Sequence, residues 1–245
     1  GGDDSITIDV NPAGATAPLS IPGVGAPAPG LIIRGGDNGD GSDSVSILGD
    51  NTNAVAETIG VALASGIVTG VVGGTISLTG VEHLSVESQG QAAGTDTINV
   101  TEVGAISPIE PVALRNAETV SATGTASDDT INVTPTAAGA GSFEATSGQP
   151  VVSYAGATTL FTVNGGPGGF DVLGILGTSD ADTIASNGTS TTASSGVVTH
   201  GAGLDRLDIF GFGGNDDIDV TANLLNGDGA PAPLPSIIDA GTGND

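Results

Sequence analysis

The sequence predicts an all-β chain: a parallel β-solenoid of about six irregular coils with inserted loops or hairpins. Three observations predict it. A strand motif opening with Asp recurs along the whole chain. Two further classes of short apolar strand recur around that motif, separated by Gly-rich turns. The 38% of apolar residues include only five Phe, one Tyr and no Trp, Cys or Met, so a core must be thin and built from β-branched and small side chains.

The Asp motif appears as Asp4-Ser-Ile-Thr-Ile8, Asp43-Ser-Val-Ser-Ile47, Asp96-Thr-Ile-Asn-Val100, Asp129-Thr-Ile-Asn-Val133 and Asp216-Asp-Ile-Asp-Val220. Looser copies start at Asp171 and Asp182. Alternating apolar and small polar residues mark a half-buried strand. A second class comprises Leu31-Ile-Ile33, Leu84-Ser-Val86, Val120-Ser-Ala122, Phe161-Thr-Val163, Leu207-Asp-Ile209 and Ser236-Ile-Ile238. A third comprises Ile76-Ser-Leu78, Val112-Ala-Leu114, Val152-Ser-Tyr154 and Val197-Val-Thr-His200. Three strands per cycle suit a stacked coil that buries one continuous core. Segments 11–30, 48–75, 101–111, 134–150, 187–196 and 221–235 read as inserts, expected to form a ridge on one face. Tandem β-sandwich-type domains are the alternative, since short strands at regular spacing fit them too.

Twenty-eight acidic residues against three arginines give a formal net charge of -25. Such a field repels nucleic-acid phosphates and anionic headgroups and collects cations. No apolar run reaches the length of a membrane span, so no membrane insertion is expected. A mean hydropathy of +0.22 argues for a folded chain despite the charge.

The turns leading into the Asp motif concentrate acid and glycine: Gly35-Gly-Asp-Asn-Gly-Asp-Gly-Ser-Asp43, Gly94-Thr-Asp96, Ser127-Asp-Asp129, Ser179-Asp-Ala-Asp182 and Gly213-Gly-Asn-Asp-Asp217. Glycine permits tight turns, and carboxylate oxygens are the donors a hard cation takes. These turns resemble the RTX-type calcium-binding β-roll repeats, and more closely the Gly-Asp-Asp-Thr-Ile-rich repeats of large bacterial surface proteins. The strict RTX nonapeptide array is absent. The resemblance implies calcium (Ca2+) held between turns by Asp37, Asn38, Asp40 and Asp43, and by Asn215, Asp216 and Asp217. Asp3, Asp4, Asp96, Asp128, Asp129, Asp180, Asp182, Asn244 and Asp245 are the corresponding candidates in the remaining turns. The competing role for every one of them is turn capping by side-chain to backbone hydrogen bonds.

A catalytic role is not expected. Arg34, Arg115 and Arg206 are dispersed and suit surface ion pairs, and His83 and His200 suit exposed or capping positions. Sugar hydrolases need paired carboxylates in an aromatic-lined cleft, and the aromatics are too few. Asn99-Val-Thr101, Asn132-Val-Thr134 and Asn187-Gly-Thr189 match the glycosylation sequon, with polar strand or turn filling as the default reading.

The chain opens within an Asp motif and finishes on a turn that introduces one, Ile237-Ile-Asp-Ala-Gly-Thr-Gly-Asn-Asp245. That pattern predicts a single solenoid, residues 1–245, serving as one period or subunit of a longer array whose partners are copies of itself. The expected role is structural, in an extracellular or cell-surface fibre, sheath or layer stabilised by calcium. An adhesin segment that recognises a glycan is the competing class.

Overall fold

The computed structural model describes residues 4–11, 31–35, 42–50, 56–71, 74–88, 95–107, 109–145, 150–156, 159–221 and 237–243. All regular elements among them are strands, and these form two large, mostly parallel sheets.

Followed along the chain, β1 (Ser5–Asn11) lies in the first sheet, β2 (Leu31–Arg34) in the second and β3 (Ser44–Asp50) in the first. β4 (Thr58–Ala62), β5 (Ile67–Thr69) and β6 (Thr75–Thr79) then run back and forth in the second sheet. β7 (His83–Glu87) and β9 (Val112–Arg115) belong to the first sheet, β8 (Thr97–Thr101) and β10 (Thr119–Thr123) to the second. A second meander, β11 (Thr130–Ala137), β12 (Ala140–Ala145) and β13 (Val152–Ala155), occupies the first sheet. β14 (Leu160–Asn164) returns to the second and β15 (Val172–Leu176) to the first. The last meander, β16 (Thr183–Ser186), β17 (Ser190–Ala193) and β18 (Gly196–His200), is in the second sheet. β19 (Arg206–Phe210) and β21 (Ile237–Asp239) fall in the first, β20 (Asp217–Val220) in the second.

The spatial orders are β1-β3-β7-β9-β13-β12-β11-β15-β19-β21 and β2-β6-β5-β4-β8-β10-β14-β18-β17-β16-β20. Each meander is threaded backwards. Its first strand pairs in parallel with a strand later in the chain (β4 with β8, β11 with β15, β16 with β20), and its last with an earlier one (β6 with β2, β13 with β9, β18 with β14). Antiparallel pairing among the described strands is confined to these meanders.

Register places like on like. In the second sheet Ile59, Ile98, Val120, Phe161 and Val198 stand in one row, and Val61, Val100, Ala122, Val163 and His200 in the next. In the first, Val45, Leu84, Val112 and Val152 align beside Ile47, Val86, Leu114 and Tyr154. These rows are buried and join one hydrophobic cluster that spans both sheets. Phe143 and Tyr154 from the first sheet meet Phe161 from the second, with ring centroids 5.4 and 4.6 Å away from it. Three of the six aromatic side chains are thus packed together in the core between the two sheets.

Two expectations are corrected. The three strand classes, expected as successive strands of one coil, do not keep fixed places: each class is split between the two sheets. The inserts do not form a single ridge either. Segments 48–75, 134–150 and 187–196 carry β4 and β5, β12 and β17, extending both sheets from within. These strands lack the Asp header, and sheet membership is set by how many times the chain crosses the core, which the strand motif does not encode.

Candidate functional site

The acidic residues concentrate where the chain turns into a strand, and their neighbours explain why. Each parallel strand lies one strand spacing from the next, so the residues immediately preceding adjacent strands are stacked. An acid at that position can reach the backbone N–H of the residue stacked on it. Asp4 donates its N–H to Asp43 Oδ1 at 2.9 Å, and Asp43 to Glu82 Oε2 at 2.8 Å. Glu57 donates to Asp96 Oδ1 and Asp96 to Glu118 Oε2, both at 2.8 Å. Asp129 donates to Asp171 Oδ1 and Asp171 to Asp205 Oδ2, both at 2.9 Å. Asp182 donates to Asp216 Oδ1, again at 2.9 Å. The carboxylate belongs in every case to the residue later in the chain, so the ladders have a polarity.

The second carboxylate oxygen closes the turn behind it. Asp129 Oδ2 accepts the Thr125 N–H at 2.6 Å and its hydroxyl at 2.9 Å; Asp182 Oδ2 accepts the same pair from Thr178 at 2.6 and 3.1 Å. Asp96 Oδ2 accepts the Ser88 hydroxyl at 2.7 Å. A residue with a Cβ could not close so tightly. At Gly124 an added Cβ would sit 1.9 Å from the Gly165 carbonyl oxygen and 2.7 Å from Asp129 Oδ2. This contact gives the Gly-to-Asp spacing of these turns a steric cause.

Asp171 departs from the pattern. Its turn, Gly165-Gly-Pro-Gly-Gly-Phe-Asp171, has Gly166 where the sister turns have Thr. Oδ2 is buried with no hydrogen-bond partner, and the residue is 1% exposed. Burial pushes its carboxyl up to about 6; the Asp129 N–H bond opposes this, and the nearby Asp129, Asp205 and Asp128 carboxylates add to it.

Of the residues with calcium-ligand spacing, Asp3, Asp37, Asn38, Asp40, Asn244 and Asp245 lie outside the described residues. Asp4, Asp43, Asp96, Asp129, Asp182 and Asp216 are members of the ladders. Asp128 is exposed and accepts the Phe170 N–H at 2.8 Å; Asp180 is exposed in the turn after Thr178. Asp217 points outward from β20, and Asn215 stands two residues before it. No three carboxylate or imidazole side chains converge among the described residues. Apart from Asp171 Oδ2, the carboxylate oxygens described above accept from backbone N–H and hydroxyl donors. Glu57, Glu82, Glu118 and Asp205 lie outside the Asp motif, although an acid directly before a strand is the signal that unites them with it.

Arg206 makes the expected ion pair, Nη2 to Asp208 Oδ2 at 2.8 Å, with its guanidinium 5.8 Å from the Phe170 ring centre. His200 is not an exposed histidine. It closes a core row, with Nδ1 against the Gly188 carbonyl at 3.1 Å and Nε2 against the Thr191 hydroxyl at 2.9 Å. Burial lowers its pKa, so Nδ1 carries the proton given to Gly188 and Nε2 accepts from Thr191. His83 Nε2 contacts the Ser42 hydroxyl. Tyr154, deep in the aromatic cluster, has its phenol pushed up to about 12 by burial.

No protein family, curated protein or solved structure matches this chain.

Proposed function

We propose that the chain is a non-catalytic structural segment of an extracellular fibre, sheath or surface layer. It is a two-sheet β-solenoid whose coils continue into a further copy. One observation carries the reading. The outermost strands of both sheets, β1 and β2 at one end and β20 and β21 at the other, are each paired on one side among the described residues, and all four pairings are parallel. Ile6, Ile32, Ile237 and Ile238 on these strands are 38 to 59% exposed. Open strand edges bearing apolar side chains are templates for another chain, and a contact between unlike ends propagates into a filament.

Calcium belongs to this proposal at the 35–43 turn, where the resemblance to calcium-binding repeats is closest. A net charge of -25 gives stacked chains reason to recruit a divalent ion. The test is sedimentation and negative-stain imaging of the purified chain, with calcium and with a chelator. The expected result is concentration-dependent head-to-tail association, strengthened by calcium and abolished by the pair Ile32→Lys and Ile237→Lys, whose exposed positions leave folding intact. A monodisperse monomer under all conditions overturns the reading.

An adhesin segment is the second reading, favoured by Phe210 and Phe212, whose rings stack at 6.2 Å with Phe212 52% exposed. Glycan retention that is lost in Phe212→Ala would decide for it.

A further inference from the structure

The three Asn-x-Thr sequons are equivalent as sequence and unequal as structure. Asn99 in β8 is half-buried, and its Oδ1 accepts the Ser121 hydroxyl at 2.7 Å. Asn132 in β11 is half-buried as well, and its Oδ1 lies 2.2 Å from where a Cβ on Gly174 would sit, so the amide lies against β15. Both are interior to a strand flanked on each side. A transferase would have to open the sheet to reach either nitrogen.

Asn187 is exposed and leads the turn between β16 and β17. Its backbone N–H is held by the Ser190 carbonyl at 3.1 Å, and Gly188 takes a φ of +86° that suits glycine. The Gly188 carbonyl is pinned from within by buried His200. On this fixed turn, Asn187 Oδ1 accepts the Thr189 N–H at 3.0 Å, the Ser190 N–H at 2.9 Å and the Thr189 hydroxyl at 2.9 Å, with the Ser190 hydroxyl at 3.3 Å. Nδ2 has no protein partner among the described residues. An amide nitrogen is a poor nucleophile because its lone pair is shared with the carbonyl. Donors crowded on Oδ1 draw the negative charge of the amide to oxygen and make an Nδ2 proton easier to remove as the nitrogen attacks.

We propose that Asn187 is an acceptor of an N-linked glycan. The donor class is a glycosyl diphosphate carried on a lipid. The Nδ2–C1 bond forms, the bond from C1 to the diphosphate oxygen breaks with its electron pair leaving on the diphosphate, and Nδ2 gives one proton to the transferase base. The proposal shares with the preceding reading only the exported location. Failure of end-to-end association leaves it untouched, and the reverse holds as well.

The test uses the purified folded chain, an asparagine-specific oligosaccharyltransferase that accepts Asn-x-Thr, and a lipid-linked oligosaccharide, read by intact mass and peptide mapping. One glycan on Asn187 is expected. Asn187→Gln should abolish it, while Asn99→Gln and Asn132→Gln leave it unchanged. Because Asn187→Gln also removes turn bonds, the exposed pair Thr189→Ser and Thr189→Val carries the argument independently: the first keeps the hydroxyl and stays an acceptor, the second ceases to be one. A folded chain, verified by circular dichroism, that is glycosylated at Asn99 or Asn132 instead, remains unmodified, or accepts equally as Thr189→Val, overturns the proposal.

Discussion

Replacing Asp171 by Asn should stabilise the protein, although Asp171 accepts a ladder bond. The fold favours the protonated acid: its carboxyl titrates at about 6 against an ordinary 3.8. Its contribution to stability is therefore intact below about 3.8 and is lost as pH rises through about 6. At about 1.4 kcal/mol for each tenfold change in the proton equilibrium, the ionised form costs at most about 3 kcal/mol at neutral pH. The Asn amide keeps an oxygen for the Asp129 N–H and brings an NH2 to the place of Oδ2. That place and the Gly203 carbonyl oxygen both border the Cβ position of Gly165, at 2.6 and 2.2 Å from it. Urea unfolding of parent and Asp171→Asn, followed by far-ultraviolet circular dichroism between pH 4 and 8, isolates the effect of Asp171 and its coupling to Asp128, Asp129 and Asp205, because carboxylates distant from it cancel in the difference. The variant should gain about 1 to 3 kcal/mol at pH 7.5, or roughly 3 to 10 °C in melting temperature. The gain should vanish near pH 4. A difference that is flat with pH, or a variant less stable at pH 7.5, refutes the reasoning.

Two further outcomes follow from the turns. Gly124→Ala should cost about 3 kcal/mol or more, because the new methyl meets the Gly165 carbonyl and that backbone is fixed in the stack, whereas Gly74→Ala, with nothing within 4 Å, should be near neutral; the same urea titration compares them. The neutral form of His200 is the one the fold favours, so its contribution is present above an ordinary histidine pKa of 6.5 and is lost as pH falls below it. Hydrogen exchange should show β16 to β18 opening before the rest of the second sheet as the medium is acidified.

The strands were legible because apolar and polar residues alternate cleanly. All seven Asp-headed segments, from Asp4 to Asp216, lead into strands. Ile67-Val-Thr69 and Ser190-Thr-Thr-Ala193 were hidden because a three- or four-residue antiparallel strand inside a meander has its partners next to it and needs no header. The acidic turns are visible in the sequence, and both cation binding and turn capping suit their composition. What identifies capping is spacing to a donor. A Thr four residues before the Asp, as at Thr125 and Thr178, supplies both an N–H and a hydroxyl to one oxygen. Glu at the stacked positions 57, 82 and 118 reaches the same N–H through a longer arm, which a motif built on Asp alone overlooks.

The backward threading of the meanders has a mechanical consequence. A stack whose chain order matches its spatial order unravels under tension one outer strand at a time. Here tension from the N-terminal side strips β1, β2 and β3 and then loads β4, which is not on the rim but wedged between β5 and β8. From the other side, once β21, β20 and β19 are gone, the load falls on β18, wedged between β14 and β17 while β16 forms the edge. In each direction the pulled strand must be sheared out from between two neighbours at once. Each meander is therefore a built-in stop against unzipping when the chain is pulled from either side.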